Sequence, residues 1–148
     1  MPKLSSSEVS ALLWTPIIAR LATITPDNRP YVVPLWQYWD GHYLYVVPRS
    51  HSRFVDHIRS NNNVAVSCAD DIDPSHRRLL IEGAAEIIEG PVLMSGRMLE
   101  IASEMAERYA GQAGLNYLDS TKNKPRYLVR IVANTITTWA GSWHPRYG

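Results

Sequence analysis

Residues 47–53 read Val47-Pro48-Arg49-Ser50-His51-Ser52-Arg53, an apolar strand end that runs into a helix through two hydroxyls and two arginines. A helix start offers main-chain amides without partners, and guanidinium forks match the oxygens of a phosphate, so this segment has the makings of a phosphate cradle. A plainer reading has Ser50 or Ser52 cap the helix while Arg49 and Arg53 stay solvated. On local sequence alone the plainer reading weighs more, and the rest of the chain has to decide. Other chemistries find less support. The five histidines, His42, His51, His57, His76 and His144, show no spacing with cysteine or carboxylate that suits a metal, so no metal is expected. There is no Gly-x-Ser-x-Gly, no Walker lysine and no Gly-x-Gly-x-x-Gly, which sets aside hydrolase, P-loop and Rossmann readings.

The elements that must position the cradle follow from periodicity. Ser5-x-x-Glu8 is a capping box, and Val9, Leu12 and Leu13 continue at helical spacing until Pro16. Residues 17–25 and 31–38 read as strands around the turn Pro26-Asp27-Asn28. Pro34 cannot donate to a ladder, so its strand belongs at an edge or a bulge. Asp40-Gly41 turns the chain into a strand over residues 43–47. A helix over 52–60 shows Phe54, Val55 and Ile58 on one face, and strands follow at 64–69 and 79–89. Gly83 inside the latter marks a bulge. A long helix is expected over 91–109, with Leu99, Ala102, Met105 and Ala106 as its apolar stripe, then a polar loop over 111–124. Residues 126–133 and 135–139 complete the strands. The pattern predicts a single α+β domain over 1–148, a small antiparallel six-stranded barrel with peripheral helices.

Several of these segments carry a family likeness in their order. Ala19-Arg20-Leu21-Ala22-Thr23-Ile24-Thr25-Pro26-Asp27-Asn28-Arg29-Pro30-Tyr31-Val32-Val33-Pro34-Leu35-Trp36 resembles the opening hairpin of the pyridoxamine 5'-phosphate oxidase-like proteins. The likeness continues through Trp39-Asp40-Gly41, residues 49–53 and 61–68, Leu80-Ile81-Glu82-Gly83-Ala84-Ala85-Glu86-Ile87, and Ile136-Thr137-Thr138-Trp139. That family consists of flavin-binding split β-barrels, and the resemblance implies a homodimer with cofactor sites at the subunit interface. Carried over by position, Val33, Pro34, Leu35 and Trp36 line the isoalloxazine, and Pro48, Arg49, Ser52 and Arg53 grip the ribityl phosphate of FMN. Arg53 stands where the family often has lysine, which keeps the charge and changes its geometry. Trp139, His144 and Arg146 match the segment that reaches the neighbouring site in several relatives.

Bulk properties fit a small, self-contained domain. At 148 residues the chain can bury one core without disulfides, and 15 Lys+Arg against 14 Asp+Glu give no general attraction to nucleic acid or anionic lipid. The one cysteine, Cys68, lies in an apolar run and reads as a core residue of a reducing compartment. With no apolar stretch long enough for a signal peptide or a bilayer span, a cytoplasmic location and no membrane partner are expected. Trp36, Trp39 and Trp139 read equally as cofactor neighbours and as core or interface filler, and Trp14 reads as the anchor of the first helix. The expected function is a flavin-dependent oxidoreductase acting on a small molecule, with no side chain required as acid or base. Two alternatives stay open: the deazaflavin F420, for whose acidic tail Lys122, Lys124 and Arg126 are candidates, and a non-catalytic module that binds flavin or haem.

Overall fold

The structure of the protein is a computed structural model, described over residues 3–141. Its chain order is α1 (Ser6–Trp14), β1 (Ala19–Ile24), β2 (Pro30–Leu35), β3 (Tyr38–Trp39), β4 (Tyr43–Val46), α2 (Arg53–Ser60), β5 (Asn63–Ala69), β6 (Arg78–Val92), α3 (Gly96–Ser120) and β7 (Arg126–Trp139). The strands form one antiparallel sheet in the order β2-β1-β5-β6-β7-β4-β3, curled into the expected split barrel. It has seven strands where six were expected. The segment 31–38 breaks after Leu35: Gln37 turns into the core, donates from Nε2 to the Leu13 carbonyl at 2.7 Å, and leaves Tyr38 and Trp39 to pair with β4.

Local chemistry explains most of these boundaries. Ser5 Oγ accepts from the Glu8 amide at 3.2 Å while the Ser5 amide donates to Glu8 Oε1 at 3.0 Å, so the capping box forms. Pro34 lies on the edge strand β2, opposite Arg20 of β1, where a missing donor leaves no gap in the sheet. At Gly83 the β6–β7 register slips, with Glu82 opposite Thr135 and Gly83 opposite Ala133, so Asn134 is the bulged residue. A Cβ on Gly83 would lie 1.9 Å from the Val132 carbonyl oxygen, and this close approach requires glycine there. Residues 126–139 therefore form one bent strand, not two.

The long helix departs most from expectation. Pro91 belongs to the end of β6, and α3 begins at Gly96. Gly111, with φ of +57°, bends the helix but does not end it, and helical backbone resumes through Ser120 in place of the expected polar loop. Two hydrophobic clusters result. One fills the barrel, with Leu12, Leu13, Leu21, Leu44, Val66, Cys68, Leu79, Ile81 and Ile131 almost wholly buried. The second joins Met98, Ile101, Ala102, Met105, Ala106 and Leu118 of α3 to Val47 and Leu128. Trp14 is 55% exposed, with its ring near Tyr38 and the Arg108 guanidinium, while Leu12 and Leu13 of α1 are fully buried and seat the helix on the barrel. Among the described residues no helix is long and apolar enough to cross a membrane.

Candidate functional site

A cavity of about 490 Å³ opens between β2, the end of β4, the start of α2 and the helix α3. Its walls are apolar: Val33, Leu35 and Trp36 on one side, Val46, Val47, Pro48 and Phe54 below, Ala102, Met105 and Leu118 opposite. The remaining lining residues, Ser52, Tyr117 and Arg126, supply hydrogen-bonding and charged groups. Volume and lining suit a small-molecule site, which is concave, mostly apolar and carries a few placed polar groups. Val33 and Leu35 reach it together because strand side chains alternate, and the same alternation sends Val32 and Pro34 outward. Trp36 is held flat against Tyr109, with ring centroids 5.3 Å apart and planes 6° from parallel. Tyr109 is fixed in turn by donating to the Ile17 carbonyl.

The helix start at Ser52 departs from a simple cap. Ser52 sits at the N-cap of α2 in extended backbone, yet its side chain makes no capping hydrogen bond. Its hydroxyl is left for the cavity it lines. The two arginines of the segment diverge. Arg53 lies over the ring of Tyr31, 5.2 Å from its centroid, and Tyr31 packs edge-on against His57. His57 is buried, with Nδ1 2.9 Å from Thr23 Oγ1, so a chain of contacts from β1 through α2 sets the position of Arg53. Arg49 turns the other way, donating to the Tyr117 hydroxyl and lying 5.5 Å from that ring's centroid.

Arg126 is only 8% exposed. Its Nη1 donates to the Val47 carbonyl at 3.0 Å and its Nη2 to Thr121 Oγ1 at 3.1 Å, tying β4 and the end of α3 to β7. Its Nε has no hydrogen-bond partner among the described residues. Beside it, burial pushes the Tyr117 phenol up, but the hydrogen bond from Arg49 and the positive charges of Arg49 and Arg126 outweigh that and hold it below the usual tyrosine range.

Of the residues singled out from sequence, Val33, Leu35, Trp36, Pro48 and Ser52 come together around this cavity. Arg49 joins them through Tyr117, Arg53 stands beside the same helix start over Tyr31, and Pro34 points away. Trp139 is not among the lining residues; it lies at the opposite end of β7 from Arg126, under the Arg78 guanidinium at 5.3 Å. His144 and Arg146 fall outside the described residues. Of the three basic residues considered for an acidic tail, Arg126 lines the cavity, while Lys122 is exposed and pairs with Asp119 at 3.4 Å. Sequence reading missed Ala102 and Met105 as wall residues, having assigned them only to a core stripe. It also missed Tyr117 and Leu118 by reading their segment as a loop; the signal available was the helical spacing of Leu115 and Leu118 beyond Gly111.

Comparison with known proteins identifies the family and the fold. The model of the pyridoxamine 5'-phosphate oxidase family matches residues 5–140. No curated protein matches the chain significantly. Among solved structures, a conserved hypothetical protein of Mycobacterium tuberculosis, Rv2991, is 25% identical, with 98% of this chain and 95% of that one covered and a TM-score of 0.76. An F420 reductase is 26% identical over 92% of this chain and 98% of its own, with a TM-score of 0.71. HutZ, the haem storage protein of Vibrio cholerae, shares the fold at 17% identity and a TM-score of 0.69, covering 91% of this chain and 95% of its own. With a family match spanning nearly its whole length, the chain belongs to the pyridoxamine 5'-phosphate oxidase family.

Proposed function

We propose that the cavity holds a flavin-type cofactor, FMN in the first instance, and that the protein is an oxidoreductase acting on a small molecule. The observation that carries this reading is the cavity itself: apolar walls from Val33, Leu35 and Trp36 facing α3, with hydroxyl and guanidinium groups gathered at Ser52, Tyr117 and Arg126. A flat, largely apolar ring system with an anionic tail matches that division. Bound there, a flavin supplies hydride chemistry. The chain's own part is to bind and orient: the β2 side chains and the stacked Trp36–Tyr109 pair give a rigid wall, Ser52 offers a hydroxyl to an anion, and Ala102 and Met105 keep water from the opposite face.

A deazaflavin is the second reading, favoured by the 26% identity to an F420 reductase over nearly the full length of both chains. The proposal includes a homodimer with a shared site, supported by the exposed apolar side chains Val32, Ile88 and Ile136. Sedimentation of a monomer with cofactor bound removes that part. The test of the whole is the visible spectrum of the purified protein, followed by titration with FMN, F420 and haem. A saturable flavin or deazaflavin spectrum, followed by reduction and reoxidation with a small acceptor, is the expected result. A protein that binds only haem, or none of the three at micromolar concentration, refutes it.

A further inference from the structure

Arginine is almost never buried without a carboxylate beside it, because the loss of hydration is large and only an opposite charge offsets it. Arg126 departs from this rule: it is 8% exposed, no carboxylate of the described residues pairs with it, and its Nε is buried without a partner. The Val47 carbonyl and the Thr121 hydroxyl supply dipoles but no charge. The cavity it lines is also approached by Arg49 through Tyr117. A second cation and a phenol are thus gathered where the first already lacks compensation.

We propose that Arg126, with Arg49 and Tyr117, forms an oxyanion subsite at the α3 end of the cavity, which takes the phosphate or carboxylate of a bound small molecule. Ser52 lines the same cavity, whereas Arg53 of that helix start turns away to Tyr31 and Arg49 turns towards Tyr117. The low position of the Tyr117 phenol agrees with a positive potential at this point. Arg126 is already pinned to β4 and α3, so an arriving anion meets a group held in place. The subsite deepens the ligand reading of the cavity and rests on it. Its test is chosen to be readable even if no flavin binds.

The probe is inorganic phosphate, titrated calorimetrically into the flavin-free protein with chloride at matched ionic strength as control. Arg126→Gln is expected to weaken the phosphate site roughly tenfold to a hundredfold, the range for removing one charge-assisted hydrogen bond at a buried position. Phosphate is also expected to move the ultraviolet ionisation of Tyr117 to higher pH in the natural protein and not in the variant, which a purely structural clip would not do. Phosphate affinity and stoichiometry unchanged by Arg126→Gln overturn the proposal. If that variant does not fold, Arg49→Gln replaces it, with a severalfold weakening expected and no change overturning the proposal. Two further arms identify the source of the oxyanion. Loss of the preference for FMN over riboflavin in Arg126→Gln assigns it to the cofactor's phosphate. A retained preference, with phosphate or acetate no longer binding the flavin-loaded variant, assigns it to a second ligand.

Discussion

Ser52→Ala separates the two readings that the local sequence left in competition. If Ser52 acted as an ordinary N-cap, removing its hydroxyl would cost about 1 kcal/mol of folding stability, within a range of roughly 0.5–2. The structure removes that term in advance, because the Ser52 side chain makes no capping bond and the amide of Val55 is instead met at 3.2 Å by the main-chain oxygen of residue 52. Stability of the flavin-free protein should therefore stay within about 0.5 kcal/mol of the natural value, as for substitutions away from stabilising contacts. Ligand binding should respond differently. A hydrogen bond to a charged oxygen is worth about 1.5–3 kcal/mol, or roughly a tenfold to hundredfold loss of FMN affinity, with riboflavin much less affected since it lacks the phosphate. Urea unfolding of the flavin-free variant and fluorescence titration with both flavins give the two numbers. A loss of about 1 kcal/mol or more in stability, with an unchanged FMN-to-riboflavin ratio, would show that the serine is a cap and that the reasoning is wrong.

Other consequences are as direct. Gly83→Ala should cost roughly 3 kcal/mol or more, since the new methyl meets the backbone at Val132 and no flexible group can yield; a shift in Tm of less than about 3 °C would contradict the close approach. Burial pushes the Cys68 thiol up to about 12, against a small opposing effect of Arg20, so the native protein should not react with thiol reagents at pH 8–9. The neutral thiol is the form the fold favours; stability linked to it is complete below the unfolded value near 9 and falls by up to about 1.4 kcal/mol per pH unit as pH climbs towards 12. Cys68→Ala should flatten that decline, and an unchanged slope would refute the assignment. The opposite sign holds for Tyr117, whose depressed phenol ionises first: spectrophotometric titration should show one tyrosine leading the rest, absent in Tyr117→Phe, and stability linked to it is gained as pH rises from its folded value towards 10.

Much of the architecture was legible because the local signals agreed with one another. Ser5-x-x-Glu8, Pro34 at an edge and Gly83 at a bulge each state a backbone requirement that the fold meets. Half of the cavity was legible for the same reason, since alternation along β2 puts Val33 and Leu35 on one face whatever their partners. What escaped depends on contacts distant in sequence. Gly111 looks like a helix end until residues 112–120 are seen packing Leu118 against the cluster around Met98. Gln37 interrupts the strand by turning inward, where it is fully buried and donates to the carbonyl of Leu13, far off in the chain. Arg126 reads as one more basic residue near two lysines, and its burial is a property of β7 meeting β4. Neither periodicity nor capping rules carry such information.

The division of the hydrophobic interior into two clusters bears on how the molecule opens. The barrel cluster is sealed by strand pairing, whereas the second rests on one bent helix packed against Val47 and Leu128. An element with its own small core can detach at a free energy below that of global unfolding, so amides of α3 should exchange with solvent sooner than those of β5 and β6. A ligand in the cavity touches both clusters at once, Val33 and Phe54 from the barrel side and Ala102, Met105 and Leu118 from the helix. Occupancy then welds two cooperative units into one, and hydrogen exchange in the helix becomes a gauge of binding that needs neither colour nor turnover.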